Sequence, residues 1–311
     1  MADHGPAVSD KDVEAITQAR IRDPQALSRS LAHRRRRPLV GKDGRMLLLA
    51  ADHTARGKLA VGSDPMAAAD RRSLLDRMVT GLSDPRVDGV LGSADVLEEL
   101  AYLGALDGRL AVGTMNRGGI AGARWELDDR VTAYDAEHVV SLGLDGGKML
   151  LRIEPTDPGV ARTLETVART TTALADAGIM ALIEPLPYLT LAGGALELDP
   201  SEDALVRTVA IASGLGSSSA YTWLKIPATA EPARVAAATT CPILLLGGDA
   251  GREHELVFDA WRRALAVPNV CGLVPGRALL YPELLSVRDA VDRAASLVHP
   301  TAAHPHREDS A

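Results

Sequence analysis

Gly147-Lys148-Met149-Leu150-Leu151-Arg152-Ile153 is a short and nearly continuous apolar run, the pattern of a strand covered on both faces. Asp157-Pro158 comes next, an acidic N-cap with proline at the first helical position. Leu164, Val167, Ala168, Leu174 and Ala175 then recur at helical spacing, and Ile179 to Leu186 forms a second apolar run. Strand, helix and strand succeed one another in that order. The alternation repeats along the chain, with further runs at Met46–Asp52, Gly89–Ser93, Leu110–Asn116, Thr222–Ala228, Pro242–Asp249 and Val270–Arg277. Asp64-Pro65 and Asp199-Pro200 mark two more expected helix starts. Eight strand–helix units in ~250 residues is the arithmetic of a (β/α)8 TIM barrel, an α/β fold. A doubly wound sheet competes, but its glycine fingerprint is missing after the first run, where Ala50-Ala51-Asp52-His53-Thr54 stands instead. The expected layout is a helical extension over 1–40, a barrel over 41–299 and a disordered tail over 300–311. One or two helices between residues 10 and 37 would cap the bottom of the barrel.

The composition is that of a globular chain, 46% hydrophobic and 24% charged, so one large domain fits the length. Aromatics are only 3%, which leaves the core to Leu, Val, Ile and Ala. A net charge of −7 argues against nucleic acid as a partner. The Arg34–Arg37 run is the local exception and reads as a solvated stretch ahead of the first strand. No apolar run is long enough for a membrane span, and Met1–Asp12 lacks the apolar centre of a signal peptide. Cys241 and Cys271 each open an apolar run and read as reduced, small hydrophobes. The expected location is the cytoplasm.

Only five lysines stand against twenty-nine arginines, and two of them, Lys148 and Lys225, lie inside strand-like runs. Arginine stays protonated in a protein, whereas a buried lysine can lose its proton and act as a nucleophilic amine. Side chains alternate along a strand, and barrel active sites form at the strands' carboxyl ends. Lys148, Leu150 and Arg152 share one face of the fourth run; Leu182, Glu184 and Leu186 share one face of the fifth; Trp223, Lys225 and Pro227 share one face of the sixth. Asp52 ends the first run, with His53 beside it. If these faces turn inward, the ionisable groups converge, with Lys148 and Lys225 in one interior layer and Glu184 between them in strand order. Two neighbouring ammonium groups disfavour each other's charge, so one amine would be partly neutral near pH 7.

Each residue also has a plainer use: Lys148 as a salt-bridging rim residue, Glu184 as its counter-charge, Asp52-His53 as a loop cap. Lys225 is hardest to explain this way, because its own segment offers no acidic partner. Gly247-Gly248 and Gly276-Arg277 end the last two runs, where barrels hold phosphate on backbone N–H groups; Arg277 would add a bidentate clamp. Both pairs could equally just turn the chain. His4, His299, His304 and His306 lie in ends expected to be mobile, and His53, His138 and His254 lack the paired spacing of a metal site. Neither metal nor cofactor is expected.

Gly147-Lys148-Met149-Leu150-Leu151-Arg152, Leu182-Ile183-Glu184-Pro185-Leu186 and Thr222-Trp223-Leu224-Lys225-Ile226-Pro227 resemble the lysine, glutamate and Schiff-base strands of class I tagatose-bisphosphate aldolases. Leu246-Gly247-Gly248, Gly272–Arg277 and Ala51-Asp52-His53 are similar to the phosphate-binding ends and first-strand motif of bacterial and archaeal class I fructose-bisphosphate aldolases. Thr54 departs from those relatives, which carry glycine there. The resemblance spans residues 46–282. It implies a barrel aldolase with Lys225 as the carbinolamine-forming lysine, Glu184 and Lys148 as the proton-transfer pair, and Asp52 as a further polar contributor. The implied substrate is a phosphorylated ketose or keto sugar acid, cleaved to dihydroxyacetone phosphate or a similar ketone plus an aldehyde. A related actinobacterial group, found with inositol breakdown, points to 6-phospho-5-dehydro-2-deoxygluconate. Relatives of this kind assemble into homo-oligomers, and an apolar outer helix such as Val257–Val267 permits it.

Three other functions fit parts of the pattern. The same Schiff-base barrel could run another reaction, thiolase-like or a dehydration. A non-catalytic sugar-phosphate-binding barrel would hold Lys225 and Glu184 as a structural ion pair. The arginine-rich N-terminus would serve as a polyanion-binding module.

Overall fold

Nine strands form among the described residues, 7–248 and 254–300, of a computed structural model. They are β1 (Met46–Ala51), β2 (Gly89–Gly92), β3 (Leu110–Thr114), β4 (Gly146–Ile153), β5 (Met180–Thr190), β6 (Leu196–Leu198), β7 (Thr222–Ile226), β8 (Ile243–Leu246) and β9 (Val270–Val274). All but β6 pair in parallel, β1 with both β2 and β9, and β4 with β5, so the sheet closes on itself. The protein is a (β/α)8 barrel. Each of the eight apolar runs holds one barrel strand, although β4 starts one residue before its run and β5 continues past its own to Thr190. Asp249, the last residue of the seventh run, lies outside the described residues.

Alternation along the strands builds two apolar cores. Leu48, Val112, Leu182, Trp223 and Leu244 point into the barrel, while Leu49, Ala111, Leu151, Ile183 and Leu245 pack outward under the helices. On β4 this places Met149, Leu151 and Ile153 outside and turns Lys148, Leu150 and Arg152 inward.

The Asp-Pro pairs act differently from expectation. At Asp64 no helix begins; the chain turns through a Val61–Asp64 bridge, and the next helix starts at Arg71 under the Asp70 cap. The helices after the other two pairs start at Gly159 and Glu202, just past the prolines. In all three places the aspartate accepts the amide two residues on, from Met66 at 2.8 Å, Gly159 at 2.7 Å and Ser201 at 2.8 Å. These are Asx turns, in which the aspartate side chain sets the direction of the next segment.

The arginine run lies across the amino end of the barrel and is paired along its length. Arg34 is buried and Arg37 largely so, while Arg35 and Arg36 stay exposed to solvent as expected. Two helices, Asp10–Arg22 and Ala26–His33, pack outside against the helix Ala94–Tyr102. The chain then crosses beneath the strands. Arg34 and Arg36 bind Asp145 at 2.6 and 3.0 Å, Arg35 binds Asp107 at 3.2 Å, and Arg37 binds Asp88 at 2.7 Å. Asp88 and Asp145 each stand one residue before a barrel strand, so their pairs hold the segment against the strand starts. Leu39 and Val40 pack against the inner core. His299 is likewise fixed here, its Nδ1 2.5 Å from Asp43 and its Nε2 3.0 Å from Asp88. His4, His304 and His306 lie outside the described residues, as does the tail beyond Pro300.

One element is not legible in the sequence. β5 continues past the barrel to Thr190 and folds back through Gly193 and Gly194, both at positive φ, to pair antiparallel with β6. This hairpin brings Tyr188 and Leu198 over the carboxyl end of the barrel. Among the described residues no helix is long and apolar enough to cross a membrane. In the apolar run Val257–Val267, Phe258, Trp261 and Ala264 are already buried within the chain.

Candidate active site

Lys148, Glu184 and Lys225 lie on the adjacent strands β4, β5 and β7, and all three side chains reach the barrel axis near the carboxyl ends. Glu184 Oε2 is 2.5 Å from Lys148 Nζ, and its Oε1 is 3.2 Å from Lys225 Nζ. Across the barrel, Asp52 Oδ2 at the end of β1 is 3.1 Å from Lys148 Nζ. Each of these four side chains is at least nine-tenths buried. The acidic partner missing from the Lys225 segment is supplied by the neighbouring strand, and two carboxylates separate charges that would otherwise repel.

Burial alone would raise the Asp52 carboxyl, but Lys148, Arg117 and Lys225 overcome it and hold the group well below its ordinary range. Burial opposes ionisation of Glu184 too; Lys148 and then Lys225 bring it down to about 2. Burial pulls the Lys148 amine below the usual lysine range, against the resistance of Asp52 and Glu184. Burial likewise lowers His53 to about 4, so its imidazole is neutral at pH 7.

Two further residues, not anticipated, complete this cluster. Arg117 donates to Asp52 Oδ2 at 2.7 Å and to Thr114 Oγ1 at 2.8 Å. Thr114 in turn donates to Asp52 at 3.2 Å. Thr114 comes after Leu110 and Val112 on the inward face of β3, so strand alternation is a usable signal for it. Arg117 lies in the loop beyond that strand, where no periodicity reports direction.

Asp52, His53, Lys148, Glu184, Lys225, Gly247, Gly248, Gly276 and Arg277 all line one cavity of about 320 Å³ at the carboxyl end of the barrel. The glycines allow close backbone approach at its far corner. Gly248 has φ 62°, and a Cβ on Gly276 would stand 2.7 Å from the Ala50 carbonyl oxygen. Arg277 is anchored by donation to the Ala60 carbonyl at 2.9 Å. Arg56, Lys58, Arg117 and Tyr188 also face the cavity. Its wall therefore carries six cationic side chains against two carboxylates, in a chain whose net charge is −7. Such a site attracts anions. Among the described residues no group of three His, Cys, Asp or Glu side chains is placed to hold a metal ion.

Arg152, expected to line the site, does not. Its guanidinium, 1% exposed, turns under the loop after β3, where it pairs with Glu126 and, at 3.3 Å, with Asp129. Arg56 joins the same cluster, 3.3 Å from Glu126 and 3.0 Å from the Gly119 carbonyl. One strand thus feeds two buried ion clusters: Lys148 serves the cavity and Arg152 braces the loop that presents Arg117.

Solved structures resemble the chain to different degrees. The crystal structure of Cgl0159 from Corynebacterium glutamicum shares 45% identity, with 95% of this chain and 99% of that chain covered and a TM-score of 0.91. An archaeal fructose-1,6-bisphosphate aldolase, solved with its catalytic lysine covalently bound to the carbinolamine intermediate of its substrate, has a TM-score of 0.62 at 19% identity. It covers 88% of this chain and 99% of its own. Fructose-bisphosphate aldolase from Slackia heliotrinireducens has a TM-score of 0.61 at 14% identity, covering 98% of both chains. The last two share the fold, a (β/α)8 barrel. No curated protein matches the chain. The family described as Cgl0159-like matches residues 44–295, and with that match and the Corynebacterium relative this chain belongs to the Cgl0159-like family.

Proposed function

We propose that the protein is a class I aldolase that cleaves a phosphorylated ketose or keto sugar acid through a Schiff base on Lys225. The observation that carries the reading is the Lys225–Glu184 contact of 3.2 Å at the floor of a cation-lined cavity. A nucleophilic amine must give up its proton, and a carboxylate in contact with it can accept one.

In this reading the neutral Lys225 amine attacks the substrate ketone, and loss of water from the carbinolamine gives an iminium. The bond between the carbons α and β to that centre then breaks, its electron pair flowing to the iminium nitrogen to form an enamine. Glu184 takes the proton of the β-hydroxyl as that carbon becomes an aldehyde. Protonation of the enamine carbon and addition of water release dihydroxyacetone phosphate or a similar ketone and restore the amine. Lys148, between Glu184 and Asp52, balances the carboxylates and relays protons. Gly247, Gly248, Gly276 and Arg277 hold the phosphate, and that remote binding places the carbonyl against the amine. The phosphorylated keto acid 6-phospho-5-dehydro-2-deoxygluconate fits this scheme, with dihydroxyacetone phosphate and a short aldehyde acid as products. The protein would act in the cytoplasm as a homo-oligomer.

A second reading has one observation in its favour. Lys225 and Glu184 form the ion pair expected of a non-catalytic sugar-phosphate-binding barrel. Borohydride reduction in the presence of dihydroxyacetone phosphate, read by intact mass and peptide mapping, separates the two. The aldolase reading expects an adduct on Lys225 that is absent from Lys225→Ala and Lys225→Arg. The binding barrel expects no adduct and tolerance of Lys225→Arg. An adduct on Lys148 would retain the chemistry and exchange the roles of the lysines.

A further inference from the structure

The cations of the cavity wall differ in what already holds them. Arg117 is committed to Asp52, Lys148 to Asp52 and Glu184, Lys225 to Glu184, and Arg56 to Glu126 and the Gly119 carbonyl. Arg277 is anchored to the Ala60 carbonyl. Lys58 is the exception. Its side chain is half-buried and faces the cavity, yet no hydrogen bond or ion pair engages its amine among the described residues. Partial withdrawal of an ammonium from water without a direct partner is costly, and burial followed by Arg56 lowers its pKa, with Glu126 opposing them.

Its position is specific. Lys58 lies in the loop after β1, held by its own backbone N–H to the His53 carbonyl at 3.3 Å. Two residues on, the Ala60 carbonyl accepts from Arg277 at 2.9 Å. That bond ties the Lys58 loop to the residue after Gly276. The loop that carries Lys58 is therefore tied to Arg277, and both cations line the same cavity as Gly247, Gly248 and Gly276.

We infer that Lys58 is a substrate-binding residue, whose ammonium pairs with the phosphate held at the Gly276–Arg277 corner and selects for phosphorylated substrates. The inference rests on the phosphate-binding part of the proposed function and is independent of the Schiff base. An ammonium is a mobile point charge, suited to one phosphate oxygen, while the planar Arg277 guanidinium engages others.

The test uses the full chain and inorganic phosphate as probe, titrated calorimetrically against wild type, Lys58→Gln and Lys58→Arg. The glutamine variant should bind phosphate about tenfold more weakly, the scale of one lost charge-assisted hydrogen bond, and the arginine variant should recover most of the loss. Borohydride trapping provides a second readout. Lys58→Gln should lower the yield with subsaturating dihydroxyacetone phosphate and leave the yield with unphosphorylated dihydroxyacetone unchanged. Phosphate binding unchanged in Lys58→Gln, or no phosphate binding by wild type, would overturn the inference. So would an equal loss of trapping with both ketones, because Lys58 would then serve the fold or the carbonyl. If phosphate binding depends on Lys58 but no variant yields an adduct, the inference stands and the Schiff-base reading falls.

Discussion

Lys148 and Lys225 grip opposite oxygens of one buried carboxylate, Glu184, at 2.5 and 3.2 Å. The two amines are not equivalent. Lys148 has a second carboxylate, Asp52, at 3.1 Å, whereas Glu184 is the acidic partner of Lys225 among the described residues. In the proposed reaction Glu184 is therefore the carboxylate placed to take a proton from Lys225, while Lys148 links it to Asp52 and Arg117.

Glu184→Gln should therefore cost both activity and stability. Loss of the proton acceptor should lower kcat by about 10²–10⁴-fold, the range for a positioned acid–base group. It also leaves Lys225 unpaired and Lys148 with one carboxylate, which should destabilise the fold by about 3 kcal/mol, as when one partner of a buried ion pair is removed. Steady-state kinetics and urea unfolding check the two losses; unchanged stability would show that water reaches the pair.

Lys148→Met should be milder in stability than Glu184→Gln. After it, Asp52 keeps Arg117 at 2.7 Å and Glu184 keeps Lys225, so neither carboxylate is orphaned. The Lys225 adduct should still be trapped with dihydroxyacetone phosphate while turnover falls by about 10²-fold or more. Loss of the adduct together with retained folding would make Lys148 the nucleophile.

Acid should weaken the fold in a defined window. The Glu184 pKa is depressed from 4.5 to about 2 by its lysines against burial, so the stability it contributes is present above about 4.5 and lost as pH falls towards 2. Unfolding free energies of wild type should slope downward across that interval, and those of Glu184→Gln should slope less. Parallel profiles would place the acid sensitivity elsewhere.

At the opposite end of the barrel the sign reverses. The hydrogen bond to Asp88 raises the His299 pKa above 6.5, with Asp43 adding to it against burial. Its contribution is full below pH 6.5 and disappears as pH rises through the raised value. Thermal unfolding should show a decline above pH 6.5 that His299→Gln lacks. A decline of equal size in both proteins would show that the imidazole does not couple to folding.

Arg152→Met removes the centre of the second ion cluster and leaves Glu126 and Asp129 under the loop after β3. The expected loss is about 3 kcal/mol, from leaving buried Asp129 without its ion partner, while Glu126 keeps Arg56 at 3.3 Å. Hydrogen exchange should rise first in residues 117–133, and KM should rise with it as Arg117 loses its support. The single ammonium of lysine cannot span both carboxylates and the Gly119 carbonyl, so Arg152→Lys should rescue only in part.

The barrel itself is written into the chain at the level of single residues. Eight apolar runs of strand length, separated by helical spacing, leave few other closed arrangements, and alternation alone turns Lys148, Glu184 and Lys225 to one side. The scarcity of lysine also points at Lys148 and Lys225, which lie inside apolar runs, but it does not separate Lys58 from Lys11 and Lys42. Arg152 shows where such reasoning stops. It shares a face with Lys148, but a long side chain at a strand end can reach sideways, and Glu126 and Asp129 draw it beneath a loop. Arg117, the β5–β6 hairpin and the pairing of Arg34–Arg37 with Asp88, Asp107 and Asp145 depend on contacts between segments far apart in the chain. Periodicity reports which way a residue faces within its own element. It carries no information about which distant charge will stand opposite, and that is settled when the barrel closes and burial makes each unpaired charge costly.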